Sequence, residues 1–116
     1  MLLVDNVTFD CADPRRLAEF WSEATGYQLA QQSEDMAMLS PAKGSRPNLI
    51  FSKVPEPRTV KNRVHIDFGV ADIEAEAARL IALGATRGAS QREDGFVWAV
   101  MADPEGNEFC IGHADS

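Results

Sequence analysis

The sequence contains no long hydrophobic run and no cluster of basic residues larger than the pair Arg15 and Arg16. Without an apolar run of about 20 residues, no membrane-spanning helix is predicted. There are 11 basic and 18 acidic side chains, so the formal net charge is -7 and the chain repels nucleic acid phosphates and anionic lipids. We therefore expect neither nucleic acid nor a membrane surface as a partner.

Cysteine is also scarce, because the chain has only Cys11 and Cys110. We interpret both as free thiols in a reducing compartment. Residues Met1–Val4 lack the basic flank and apolar core of a signal peptide, so a cytoplasmic protein is expected. The 116 residues are 45% hydrophobic, which is enough for the core of one compact domain and excludes a disordered or collagen-like chain.

The two halves of the chain repeat one another. Residues 6–13 align with residues 65–72, and Phe, Ala and Asp recur at 9 and 68, 12 and 71, and 13 and 72. Two copies of one supersecondary unit are therefore predicted. The first copy spans about residues 1–57, a linker spans 55–62, and the second copy spans about 63–116.

Each copy begins with alternating apolar and polar residues, typical of a half-buried strand, and continues with a helical pattern. The first helix is predicted between an Asp13 cap and Gly26, and the second between Asp72 and Gly84. Leu80 and Ile81 are both placed in the buried stripe of the second helix. Three strands follow each helix: Tyr27–Gln32, Met36–Leu39 and Asn48–Val54, then Arg87–Gln91, Val97–Ala102 and Glu108–Gly112.

This order of elements predicts an α+β fold made of two βαβββ modules. We expect a curved, barrel-like mixed sheet with the helices outside. The polar faces of the strands are then left to line a cavity for a small molecule.

The residues that carry these elements resemble the vicinal oxygen chelate superfamily. The second copy opens with His65 within the run Asn62–Asp67, and a hairpin of the form Asp-Pro-x-Gly-Asn stands at Asp103–Asn107. The resemblance implies one glyoxalase-like domain over residues 1–116. Members include glyoxalase I, extradiol dioxygenases, fosfomycin-modifying enzymes and bleomycin-sequestering proteins, and similar short members imply a homodimer.

The resemblance also implies a divalent metal with ligands from both copies. The matching positions here are Asn6, Ser52, His65 and Cys110, of which only His65 is a conventional ligand for a hard ion. We therefore predict that the protein needs no metal or other cofactor. If a metal does bind, His65, Cys110 and Glu108 are the expected ligands, with Asp67 as a further candidate.

The predicted acid and base are His65 and Asp67, which share one face of a strand. The alternative for His65 is a structural histidine that is hydrogen-bonded to its neighbours. Predicted ligand contacts are Asn6, Thr8, Ser52, Trp98 and Cys110, although Trp98 could face either side of its sheet. The basic residues Lys43, Arg46, Arg58 and Lys61 are interpreted as solvated loop residues, with attraction of an anionic ligand as the alternative.

Three functions remain open from the sequence. The first is a metal-independent binding protein or enzyme that uses His65 and Asp67. The second is a lyase, isomerase or dioxygenase that depends on a divalent metal. The third is an antibiotic-sequestering protein of the bleomycin-resistance type, which an acidic chain would suit for a cationic drug.

Overall fold

The computed structural model describes residues 1–43 and 45–114 and divides the chain into two compact units, Met1–Pro57 and Arg58–Ser116. The division falls inside the predicted linker 55–62. Among the residues that the structure describes, each unit contains one helix and one four-stranded sheet. The predicted pair of βαβββ modules, with mixed sheets, is therefore confirmed.

The first unit has its strands in the spatial order β1-β4-β3-β2. Strand β1 runs parallel to β4, and the remaining neighbours are antiparallel. The helix α1 supplies the crossover that a parallel pair needs. The elements of this unit are β1 (Asn6–Cys11), α1 (Pro14–Thr25), β2 (Gln28–Gln32), β3 (Met36–Ser40) and β4 (Asn48–Lys53).

The ends of α1 lie where the sequence predicted them. The Asp13 carboxylate accepts a hydrogen bond from the Arg16 backbone N–H at 3.2 Å, which satisfies one of the free N–H groups of the first turn. Gly26 ends the helix with φ of 80°. One face of α1 is buried against the sheet, where the Trp21 ring lies 5.3 Å from the ring of Phe9.

The second unit repeats this topology, with its strands in the order β5-β8-β7-β6 and with β5 parallel to β8. Strands β6 and β8 are longer than predicted. The elements of this unit are β5 (Ile66–Gly69), α2 (Ile73–Leu83), β6 (Thr86–Glu93), β7 (Phe96–Ala102) and β8 (Glu108–Ala114).

Helix α2 is capped by Asp72, whose carboxylate accepts from the Ala75 backbone N–H at 3.1 Å. Its buried stripe consists of Ile73, Ala77 and Leu80. The prediction that Ile81 belongs to this stripe is wrong, because its side chain is 48% exposed. One residue after Leu80, Ile81 lies about 100° further around the helix, outside the narrow face that meets the sheet.

The Asp103–Asn107 segment forms the predicted turn between β7 and β8. The buried Asp103 carboxylate accepts from the backbone N–H groups of Glu105 and Asn107, each at 2.9 Å. These bonds fix the start of β8 and thus the positions of the side chains that follow. None of the helices in the described ranges is long and apolar enough to cross a membrane.

Candidate functional site

A cavity of about 670 Å³ lies on one face of the second unit's sheet, opposite the face that packs on α2. Two rows of paired residues form this cavity face. One row joins Asp67, Cys110 and Val100, and the other joins Gly69, Gly112 and Trp98. The residues that line the cavity are Lys61, His65, Asp67, Phe68, Gly69, Gln91, Phe96, Trp98, Val100, Glu108, Cys110 and Gly112.

His65 and Asp67 meet at this cavity. The Nε2 atom of His65 lies 3.2 Å from Oδ1 of Asp67, within reach of a hydrogen bond. His65 directly precedes β5 and Asp67 is the second residue of that strand, so the two residues are separated by one position along the chain. Both side chains are open to solvent, with 40% of His65 and 76% of Asp67 exposed. A ligand in the cavity can therefore reach the imidazole and the carboxylate together.

Cys110 lies beside this pair on β8 and is buried. Burial raises the pKa of its thiol above the ordinary value of 9.0, and the charge and hydrogen bond of Asp67 raise it further. The thiol is therefore protonated at neutral pH and is a weak nucleophile. This chemistry fits a residue that lines the cavity better than one that attacks a substrate.

Trp98 faces the cavity, which resolves the two orientations that the sequence left open. Phe96 stands two residues away on the same face and is 53% exposed. Together the two rings give the cavity an aromatic wall. Such a wall suits a planar apolar ligand group.

Glu108 holds a group of basic and amide residues at the rim of the cavity. Its carboxylate accepts from the Asn62 backbone N–H at 2.9 Å and lies 3.8 Å from Arg58 and 3.7 Å from Lys61. We call Arg58, Lys61, Asn62 and Glu108 the rim cluster. The Asn62 hydrogen bond lowers the pKa of Glu108, and the Lys61 and Arg58 charges add to this effect against the opposing effect of burial.

Three predicted contact residues belong to the first unit. Asn6, Thr8 and Ser52 lie on one face of its sheet, as the register of β1 with β4 shows. Asn6 accepts a hydrogen bond from the side chain of Asn48 at 3.2 Å. The cavity described above is lined by residues of the second unit, so a role for these three residues in ligand contact stays a prediction.

The divalent metal that the resemblance implies can be tested against the side chains present. Among the described residues, His65, Asp67 and Cys110 place one potential ligand atom each within 4.8 Å of one another. Imidazole, carboxylate and thiol form a donor set for zinc rather than for a hard ion. The soft sulfur ligand makes this set a poor fit for a hard divalent ion, and the raised pKa of the thiol, which must lose its proton to bind, also opposes zinc.

Glu108 does not belong to this group of three, although the sequence named it as a conditional ligand. Its carboxylate is held by the rim cluster instead. Asp67, which the sequence gave only as a further candidate, occupies the place beside His65 and Cys110. The register of β5 with β8 sets this arrangement, because it pairs Asp67 directly with Cys110.

Lys61 lines the cavity, so of the two interpretations that the sequence allowed for it, a position at the cavity agrees with the structure better than a purely solvated loop. Two glycines were not singled out as site residues. Gly69 and Gly112 lie side by side on the cavity face. Glycine within a strand often marks a close approach of another group, and that signal could have identified both positions.

Comparisons with known proteins agree with the fold and the repeat. The family model described as "Glyoxalase-like domain" matches residues 6–112. No curated protein matches the sequence. Among solved structures, a glyoxalase/bleomycin resistance protein/dioxygenase family enzyme from Burkholderia phytofirmans PsJN is 20% identical, with a TM-score of 0.78 over 95% of this chain and 97% of that chain.

Two other structural neighbours carry more specific names. Lactoylglutathione lyase from Agrobacterium tumefaciens is 16% identical, with a TM-score of 0.69 over 99% of this chain and 96% of that chain. The bleomycin-binding protein from Streptomyces verticillus, complexed with copper(II)-bleomycin, is 14% identical, with a TM-score of 0.67 over 100% of this chain and 98% of that chain. At these identities the neighbours establish the fold alone. The family model, which matches residues 6–112, shows that the chain belongs to the glyoxalase-like domain family, in agreement with the predicted resemblance to the vicinal oxygen chelate superfamily.

Proposed function

We propose that this protein binds a small organic molecule in the cavity of the second unit, with His65 and Asp67 contacting its carbonyl or hydroxyl group. The observation that carries the proposal is the 3.2 Å contact between these two side chains at a cavity with an aromatic wall. The volume of about 670 Å³ falls in the usual range for ligand sites.

The roles of the two residues follow from their chemistry. The imidazole can donate a hydrogen bond to a ligand carbonyl or accept one from a ligand hydroxyl. The Asp67 carboxylate orients the ring, and an imidazole held against a ligand can also serve as its general acid or base. The same geometry therefore serves simple binding or acid–base catalysis, and neither requires a metal.

A sequestering function is the second candidate. It is favoured by the state of Cys110, whose protonated thiol offers no activated nucleophile beside His65. The neighbour from Streptomyces verticillus is a bleomycin-binding protein, so this fold accommodates binding proteins as well as enzymes. Turnover of a bound compound, followed by mass spectrometry, separates an enzyme from a sequestering protein. A metal-dependent lyase, isomerase or dioxygenase is the remaining alternative.

The test is a thermal-shift screen of carbonyl and hydroxyl compounds against three proteins: the wild type, His65→Ala and His113→Ala. His113 is a matched control, because it lies on β8 facing away from the cavity. We expect compounds that stabilise the wild type to stabilise His113→Ala equally and His65→Ala less. Equal shifts for all three proteins would show that His65 is structural.

A homodimer and a cytoplasmic location complete the proposal, since both follow from the resemblance and the composition. Light scattering of the purified protein tests the first. A mass of one chain at micromolar concentration would contradict it.

A further inference from the structure

We infer that Glu108 is a positioning residue of the cavity, because it holds the segment before β5 against the start of β8 and thereby fixes where His65 lies. The inference rests on the proposed function, since His65 is the residue whose position Glu108 sets. It draws on the contacts of Glu108, the register of β5 with β8 and the place of His65 just outside β5.

His65 lies outside the backbone ladder of its sheet. Strand β5 begins at Ile66, whose partner on β8 is Phe109. Residues 58–65, all of which the structure describes, form neither helix nor strand. The ladder therefore holds His65 from its C-terminal side only. Ordering the preceding segment costs conformational entropy, which contacts outside the ladder must offset.

Glu108 supplies those contacts through Asn62. The Asn62 backbone N–H donates to Oε1 of Glu108 at 2.9 Å, and the Asn62 side-chain amide lies 3.5 Å from the Glu108 carbonyl oxygen. Asn62 precedes His65 by three residues, which span at most about 11 Å. With Asn62 held on one side and Ile66 on the other, His65 is confined to the start of β8.

The hydrogen bond to Asn62 is the strongest of the contacts within the rim cluster. The cations of Arg58 and Lys61 lie at 3.8 and 3.7 Å, and their side chains are 35% and 73% exposed. Exposed ion pairs of this kind stabilise a structure only slightly, whereas a hydrogen bond from an N–H group to a carboxylate is a strong one. The reach of Glu108 to Asn62 therefore matters more than its charge.

The position of Glu108 is itself fixed by the turn that precedes it. The buried Asp103 carboxylate accepts from the backbone N–H of Asn107, the residue directly before Glu108, at 2.9 Å. The register of β5 with β8, continued back by one residue, places Glu108 next to His65. Both side chains line the cavity. Glu108 thus transmits the position of the turn to the histidine.

The test separates the reach of the carboxylate from its charge. Glu108→Asp keeps the charge but withdraws the carboxylate by about 1.5 Å, beyond hydrogen-bond distance of the Asn62 N–H. Glu108→Gln loses the charge but keeps an oxygen acceptor at the same reach. Glu74→Asp is the matched control, because it shortens a carboxylate that accepts from Arg87 on α2, on the opposite face of the sheet.

Two measurements by nuclear magnetic resonance report on the segment. In Glu108→Asp, we expect hydrogen exchange of the Asn62 amide to become about tenfold faster, the effect of losing one hydrogen bond to a charged group. The ring signals of His65, assigned with His65→Ala, should move, while those of His113, the other histidine of the chain, should stay. Glu108→Gln and Glu74→Asp should keep the wild-type His65 signals.

Two results would overturn the inference. If Glu108→Gln moves the His65 signals as much as Glu108→Asp does, the charge acts rather than the reach. If neither variant moves them, the ladder alone fixes His65.

Binding separates this inference from the proposed function. Compounds whose thermal shift depends on His65 should stabilise Glu108→Asp less than the wild type and Glu108→Gln nearly as much. If they stabilise Glu108→Asp fully, the positioning role is wrong and the proposed function stands. If no compound distinguishes His65→Ala from the wild type, the proposed function fails, while hydrogen exchange and the ring signals still decide whether Glu108 fixes His65.

Discussion

Gly112 lies directly opposite Trp98 on the neighbouring strand, so close that a Cβ atom at position 112 would lie 2.8 Å from the Trp98 Cβ. The same atom would lie 2.6 Å from the Val97 carbonyl oxygen. These are distances that real Cβ atoms do not show, and one of the two partners is backbone. The absence of a side chain at Gly112 therefore sets the position of the aromatic wall.

The first prediction is that Gly112→Ala destabilises the protein by about 1–3 kcal/mol, because strand β7 must move to accept the methyl group. Urea denaturation followed by circular dichroism measures the change. Gly69→Ala is the matched control and should have little effect, since its methyl group meets open space. Equal stabilities for the two variants would contradict the close approach at Trp98.

The second prediction concerns the reactivity of Cys110. Asp67 raises the pKa of this thiol through its charge and a hydrogen bond, so Asp67→Asn should lower that pKa and increase the thiolate fraction. Iodoacetamide should then react faster with Cys110 at pH 8, measured in a Cys11→Ser background that leaves one thiol. Glu108→Gln should accelerate the reaction less, because Glu108 has the smaller effect on the Cys110 pKa. A larger effect of Glu108→Gln would argue against the Asp67 contact.

The third prediction concerns acid stability. The pKa of Glu108 is lowered in the folded state, so its contribution to the free energy of unfolding is complete above the unfolded value of about 4.5. That contribution is lost as the pH falls below 4.5 toward the folded pKa. Glu108→Gln should therefore be less stable than the wild type at pH 7, and the difference should shrink toward pH 3. A difference that does not change with pH would locate the effect in packing.

The fourth prediction concerns metal content. The donor set of His65, Asp67 and Cys110 fits a hard divalent ion poorly, and zinc binding must remove the proton of a thiol whose pKa is raised. We therefore expect well under one metal ion per chain in protein purified without added metal. Elemental analysis checks this, and ligand-induced thermal shifts should survive treatment with a chelator. One tightly bound ion per chain that His65→Ala abolishes would reverse the choice between the metal-independent and metal-dependent functions.

Much of the fold could be predicted because its signals are local. Asp13 and Asp72 each begin a helix through their own carboxylate, and Gly26 and Gly84 end the same helices with positive φ. The predicted β6 ended at Gln91, but the strand continues to Glu93. It ends at a tight turn formed by Asp94 and Gly95, which both have positive φ. The Asp-Gly pair was available as a hairpin signal and predicts the longer strands.

The site was harder to predict, because its parts are joined by strand register rather than by spacing along the chain. The register of β5 with β8 places Cys110 beside Asp67, and the linker places Lys61 at the same rim through Glu108. The alternation predicted from residue 65 onward was enough to bring His65 and Asp67 together, although β5 itself begins at Ile66. No pattern in the sequence pairs Glu108 with Asn62, 46 residues away.

Each sheet is assembled wholly from strands of its own half, in the orders β1-β4-β3-β2 and β5-β8-β7-β6. A circularly permuted gene that begins near Arg58 would therefore retain all the strand pairs within these two sheets. The order in which the two halves are synthesised can then be reversed without changing those strand pairs. Such a permutant offers a way to ask whether the earlier half helps the later one to fold.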